Sequence, residues 1–144
     1  MNSFQLKIIA CILMAIDHVG AIMFPDIDLY RIIGRLSFPI FAFLLTEGYV
    51  HTRNLKKYFI RLFIFAIIPQ IPYSLAFGID ILNIFFTLFF GMLAILVDDK
   101  INNVYKKWGL ILGIVVISEL LHMDYGYYGI IMIFLFKKYK DNWK

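Results

Sequence analysis

Charge and cysteine are what this sequence has least of. Charged residues fill 17% of its 144 positions against 62% apolar, and the mean hydropathy is +0.81. A soluble domain keeps about a quarter of its residues charged to meet water, so this balance excludes one. The single cysteine, Cys11, excludes an internal disulfide and a thiolate cluster for zinc or iron–sulfur. As a lone thiol in an apolar run, Cys11 reads as a small core residue. The three histidines, His18, His51 and His122, lie far apart, so no metal-ligand spacing forms and no metal is expected. The net charge of +4 is modest and sits in loops. It suits anionic lipid headgroups rather than nucleic acid, which is not expected as a partner.

What is present instead is long apolar runs. Segments such as "YFIRLFIFAIIPQIPYSLAF" and "WGLILGIVVISELL" are apolar on all sides, without the alternation of a membrane β-barrel strand. The predicted fold is all-α: a polytopic transmembrane helical bundle of five to six spans, some short or broken. The spans fall near Leu6–Phe24, Ile32–Val50, Phe59–Phe77, Ile84–Val97, Trp108–Leu121 and a short Tyr127–Phe136. The last three are shorter than the roughly 20 residues that cross about 30 Å of hydrocarbon. Asp17 and His18 interrupt the first apolar run and no small-residue cleavage site follows it. That run is therefore expected to stay as a span rather than act as a secretory signal. No linker or internal repeat divides the chain, so residues 1–144 are expected to be one domain.

Loop charges orient the spans. Arg53, Lys56, Lys57 and Arg61 carry no acid among them, and the C-terminal "KKYKDNWK" is also basic; both segments are expected in the cytoplasm. Asp26, Asp28, Asp80 and Asp124 fall in the loops between. Six spans in a cell membrane, with both termini cytoplasmic and the lipid bilayer as partner, satisfy all of these charges together.

Depth follows from orientation. His18 lies eleven residues beyond Lys7, about 16 Å of helix rise and about 20° from the same face, so Lys7, Cys11, Met14 and His18 form one stripe. Asp17, His18, Arg35, Gln70, Asn83, Thr87 and Glu119 all fit the middle-to-outer half of the bundle. In "PQIPY" two prolines free backbone carbonyls, and Gln70 and Tyr73 reach inward. So many polar groups at one depth imply a wet or ligand-filled cavity. Ionisable residues inside a membrane mark functional sites by default.

Plainer roles compete. Asp17 with Arg35 makes a structural ion pair joining spans one and two; Glu47 faces Arg53 near the headgroups; Ser118 bonds back to its own helix; the glycines of "WGLILG" mark close helix packing. His18 differs, because a histidine beside a carboxylate resembles an oriented base whose imidazolium the carboxylate supports.

The blocks "LKIIACILMAIDHVGAIMFP", "LYRIIGRLSFPIFAFLLTEGYVHTRNLKKYFIRL", "LNIFFTLFFGML" and "DYGYYGIIMIFLF" resemble, in order, those of the TraX family, over most of residues 6 to 136. The namesake of that family N-acetylates F-type conjugative pilin. The family is in turn similar to the transmembrane acyltransferases, whose first span carries a basic residue, ten intervening residues and a histidine; Lys7 and His18 have that spacing. The resemblance implies transfer of an acetyl or acyl group from acetyl-CoA to an amine or hydroxyl, on a peptide such as a pilin-like N-terminus or on a small molecule. The chain is short for that family, and a homo-oligomer is among the partners this implies.

In that chemistry Lys7, Arg53, Lys56 and Lys57 are the candidates for the nucleotide phosphates. His18 is the base or the nucleophile, with Asp17 orienting it. Arg35, Asn83 and Thr87 are oxyanion candidates, and Gln70, Tyr73, Glu119, Asp124 and Tyr125 complete the substrate side. The competing expectation is a small proton-coupled transporter or channel with Asp17, His18 and Glu119 as a relay; a non-catalytic membrane subunit is the third.

Overall fold

The computed structural model describes residues 2–78 and 80–142, and the end of the basic C-terminal segment, Trp143 and Lys144, lies outside them. The described chain is all-α. Eight helices follow in order: α1 (Ser3–Met23), α2 (Asp28–Arg35), α3 (Ser37–His51), α4 (Leu55–Ile67), α5 (Gln70–Phe77), α6 (Ile84–Lys100), α7 (Val104–Leu120) and α8 (Gly126–Asn142). Contacts cluster in two compact units, residues 1–44 and residues 45–144.

Prolines explain where the apolar runs break. The Pro39 ring bears on the carbonyl four residues back, that of Arg35, and the helix stops there, resuming at Ser37. Pro69 acts on Phe65 in the same way, ending α4 at Ile67 before α5 resumes at Gln70. With those breaks included, three segments are long and apolar enough to cross a membrane: Ser3–Met23, Asp28–His51 and Leu55–Phe77. The protein is a membrane protein. Helices α6, α7 and α8 have 17 residues each, about 25 Å at the standard rise. α8 is longer than the sequence suggests, because Lys137, Lys138 and Lys140 end its apolar run without ending the helix. Cations in a last turn are favourable to the dipole.

In the first unit α1 and α2 form an antiparallel pair. α1 opens with a capping box, in which Asn2 Oδ1 accepts from the Gln5 amide and Gln5 Oε1 from the Asn2 amide. The two helices meet at glycine: Gly20 lies against Tyr30, and Gly34 against the backbone of Asp17. A side chain at either glycine would collide with its neighbour, so these glycines set the register.

The second unit is a helical bundle centred on α6, which packs against α4, α7 and α8. Its core includes Leu88, Met92, Ile95, Ile130 and Ile133, and Gly91 lets Ile133 approach the α6 backbone. Two loops pair at one end: the Leu82 amide donates to the His122 carbonyl at 3.2 Å and the Asp124 amide to the Leu82 carbonyl at 3.0 Å.

Candidate functional site

The Asp17–His18 pair sits five to six residues from the C-terminal end of α1, with both residues half-buried. Successive residues on a helix project about 100° apart, so the two side chains diverge. Asp17 turns to α2. Its Oδ1 is buried without a hydrogen bond and lies 3.9 Å from Arg31 Nε, with 16% of the Asp17 side chain and 41% of the Arg31 side chain exposed.

The partner of Asp17 is therefore Arg31, not Arg35. On the antiparallel pair Asp17 stands opposite Gly34, with Arg31 and Arg35 flanking that point on one face of α2. Only Arg31 closes on the carboxylate. Arg35 ends α2 at the Pro39 break and is exposed, so it enters no ion pair among the described residues. Lys7 is exposed near the start of α1, and Cys11 is exposed rather than in the core.

Seven candidates, Gln70, Tyr73, Asn83, Thr87, Glu119, Asp124 and Tyr125, lie in the second unit, whereas Asp17, His18 and Arg35 lie in the first. Three of the seven, Gln70, Asn83 and Glu119, are already engaged by backbone. Gln70 Nε2 donates to Ser74 Oγ and to the Ile81 carbonyl, both at 2.9 Å, and Gln70 Oε1 accepts from the Asn83 amide at 2.9 Å. Asn83 caps α6 through the Phe85 amide at 2.9 Å, and its Nδ2 donates to the Ala66 carbonyl at 2.8 Å. Together they form a latch across the proline break rather than a free donor set.

Glu119 serves the start of α8, accepting from the Tyr127 amide at 2.8 Å. Gly126, at φ +48°, sits against that carboxylate. Tyr73 meets Phe77 in a tilted pair, with ring centres 4.8 Å apart, and Tyr125 is half-buried where α8 begins. Thr87 is fully buried and its hydroxyl has no hydrogen bond. An open cleft of about 450 Å³ at this end is lined by Asp80, Glu119, His122 and Asp124.

The opposite end of the second unit holds an ionic network that the sequence does not reveal. Glu47 pairs with Lys140 and, at 3.4 Å, with His51; it does not face Arg53. Lys107 meets Asp98 at 3.0 Å. Lys137 meets Asp99 at 3.6 Å with 10% of its side chain exposed, and the Tyr49 side chain hydrogen-bonds Asp99. Up to 93 positions separate these partners, so no local spacing announces them. Arg53, Lys56 and Lys57 are exposed beside this network, at the start of α4.

Ser118 does bond its own helix, donating to the Val115 carbonyl at 2.6 Å. Gly109 and Gly113, expected at a close helix contact, have open space beside them.

A family model described as TraX protein matches residues 3–144. The chain is 32% identical over 154 residues to "Probable fimbrial assembly protein FimC, serogroup H1" of Dichelobacter nodosus, an alignment covering 96% of this chain and 62% of that protein. An uncharacterized protein of Rickettsia prowazekii (strain Madrid E) is 38% identical over 72 residues, 50% of this chain and 27% of its own length. The chain thus spans less than two thirds of each of these relatives. No solved structure matches it.

Proposed function

The chain belongs to the TraX family, and from that premise we propose that it is a membrane-embedded acyltransferase, moving an acetyl group from acetyl-CoA to an amine or hydroxyl acceptor. The relative named as a fimbrial assembly protein directs the choice of acceptor to the N-terminus of a pilin-like peptide. One observation carries the reading: His18 stands half-buried within an unbroken membrane-length helix, eleven residues after Lys7.

Coenzyme A supplies the acyl group as a thioester, activated towards an amine. His18 accepts the proton that the acceptor sheds as its nitrogen or oxygen bonds to the acyl carbon, and returns a proton to the departing sulfur. Asp17 acts at a distance. Its backbone is set against Gly34 of α2 and its carboxylate lies 3.9 Å from Arg31, so it supplies a negative charge near the imidazolium formed as the proton moves. Arg53, Lys56 and Lys57, exposed at the start of α4, have the charge that suits the polyanionic end of the donor.

The test is direct. Purified protein in detergent, given acetyl-CoA and a pilin-like peptide with a free N-terminus, should release free thiol and add one acetyl group to the peptide by mass. Thiol release without any peptide requirement would point to another acceptor. No turnover with any amine or hydroxyl acceptor, from correctly inserted protein, would shift the reading to the proton-relay alternative.

A further inference from the structure

Beside the ionic network at the far end of the second unit lies an open cleft of about 380 Å³, lined by Tyr49, Thr52, Leu55, Asp99, Lys100 and Lys137 among others. Its volume is within the range of small-ligand sites.

The local charge balance is uneven. Each carboxylate of the network has a lysine: Lys140 for Glu47, Lys107 for Asp98, Lys137 for Asp99. Lys100 has no ion pair among the described residues, nor do Arg53, Lys56 and Lys57 just outside. Lys100 is therefore a cation without an ion pair in the wall of the cleft, and Lys56 follows its lining residue Leu55 directly in the chain. Lys137 is nearly buried there, held by Asp99, which the Tyr49 side chain also engages.

α4 begins at the same place. Leu55, its first residue, lines the cleft, and only the Lys57 amide is capped by Asn54. The first-turn amides of Leu55 and Lys56 have no partner within the helix. No acid occupies that first turn, where the dipole favours negative charge. Two lysines there, Lys56 and Lys57, are unfavourable to an isolated helix and favourable to one that meets an anion.

We propose that this cleft is a seat for an organic phosphate, with Lys100, Lys137 and the opening turn of α4 as its recognition elements and Asp99 as the group that holds Lys137 in position. Two sources supply that chemistry. One is the nucleotide phosphates of coenzyme A, and here the proposal rests on the acyl-transfer reading. The other is the headgroup of an anionic phospholipid, since the loop charges assign this end to the cytoplasmic surface.

The probe is adenosine 3′,5′-bisphosphate, which has no acyl group to transfer, titrated by calorimetry into the full chain in phosphatidylcholine nanodiscs. Saturable binding is expected, with Lys100→Glu raising Kd about tenfold or more, as loss of a charged hydrogen bond does. Lys106→Glu, which changes an exposed charge in α7 outside the cleft, should leave Kd within about twofold, because distant surface charges are screened. Lys137→Met removes the seat but strands Asp99, so exposed Lys100 keeps the test decisive if that variant fails to fold.

If the bisphosphate does not bind, but phosphatidylglycerol nanodiscs raise the melting temperature of the wild type and not of Lys100→Glu, the occupant is the headgroup. Absence of both effects overturns the proposal, as does an equal loss on Lys106→Glu. Bisphosphate binding without acetyl transfer keeps the seat and removes the acyl-transfer reading. Transfer with a KM for acetyl-CoA unmoved by Lys100→Glu, and no bisphosphate or headgroup binding, does the reverse.

Discussion

A carboxylate within a membrane-length helix needs compensation, and Asp17 receives it in an economical form. Arg31 approaches to 3.9 Å, beyond hydrogen-bond distance, and stays partly exposed. The pair is therefore loose. A double-mutant cycle of Asp17→Asn with Arg31→Met should give a coupling energy of about 0.5–1 kcal/mol, in line with screened ion pairs. The same cycle with Arg35→Met should give close to zero. Equal coupling at both arginines, read by thermal or denaturant unfolding in detergent, would contradict the assigned partner.

Thr87 offers a second residue-scale check. Its buried hydroxyl makes no hydrogen bond, so Thr87→Val replaces an unsatisfied group with an apolar one of the same shape. Stability should stay level or rise by up to about 1 kcal/mol. If Thr87 instead held an oxyanion, acyl transfer would fall by a hundredfold or so while stability changed little.

Helices are where the chain is most legible. Period, length and apolar content locate the helical segments, and "PQIP" announces the break in the third; the break between α2 and α3 falls within the span expected at Ile32–Val50, where no break is expected from the sequence. Register is not legible. Choosing Arg31 over Arg35 depends on which glycine meets which residue across the α1–α2 pair, and both arginines lie on the same face one turn apart. The roles of Gln70 and Asn83 were hidden for a related reason. Polar side chains in an apolar run look available until the backbone groups of the break and the loop beside it are located, and here Ala66, Ile81 and the Asn83 and Phe85 amides claim them.

The latch makes a measurable claim about the elements it joins. Asn83→Ala removes the α6 cap, about 1 kcal/mol, and leaves the Ala66 carbonyl without the Asn83 donor, a further loss of about 1–2 kcal/mol. A drop of about 2–3 kcal/mol in unfolding free energy is expected. A loss of activity at unchanged stability would return Asn83 to the substrate side.

At the scale of the molecule, the ionic network draws together residues from α3, α6, α7 and α8 that no window of sequence contains. Glu47 and Lys140, for example, are joined by the fold alone. Loop charge carries the topology: Lys56 is expected in the cytoplasm and Asp80 outside. In a Cys11→Ser background, a membrane-impermeant thiol reagent applied to intact cells should label Asp80→Cys and spare Lys56→Cys. The opposite pattern would invert every depth inferred from the loops.

The central claim is that His18 performs the proton transfer in acyl transfer. Single-turnover acetyl transfer should be measured on wild type, His18→Ala and the exposed control His51→Ala, each shown to be inserted and to unfold at a similar temperature. The account predicts transfer by the wild type and by His51→Ala, with His18→Ala slower by about a hundredfold to ten-thousandfold. Wild-type rates from His18→Ala would contradict it.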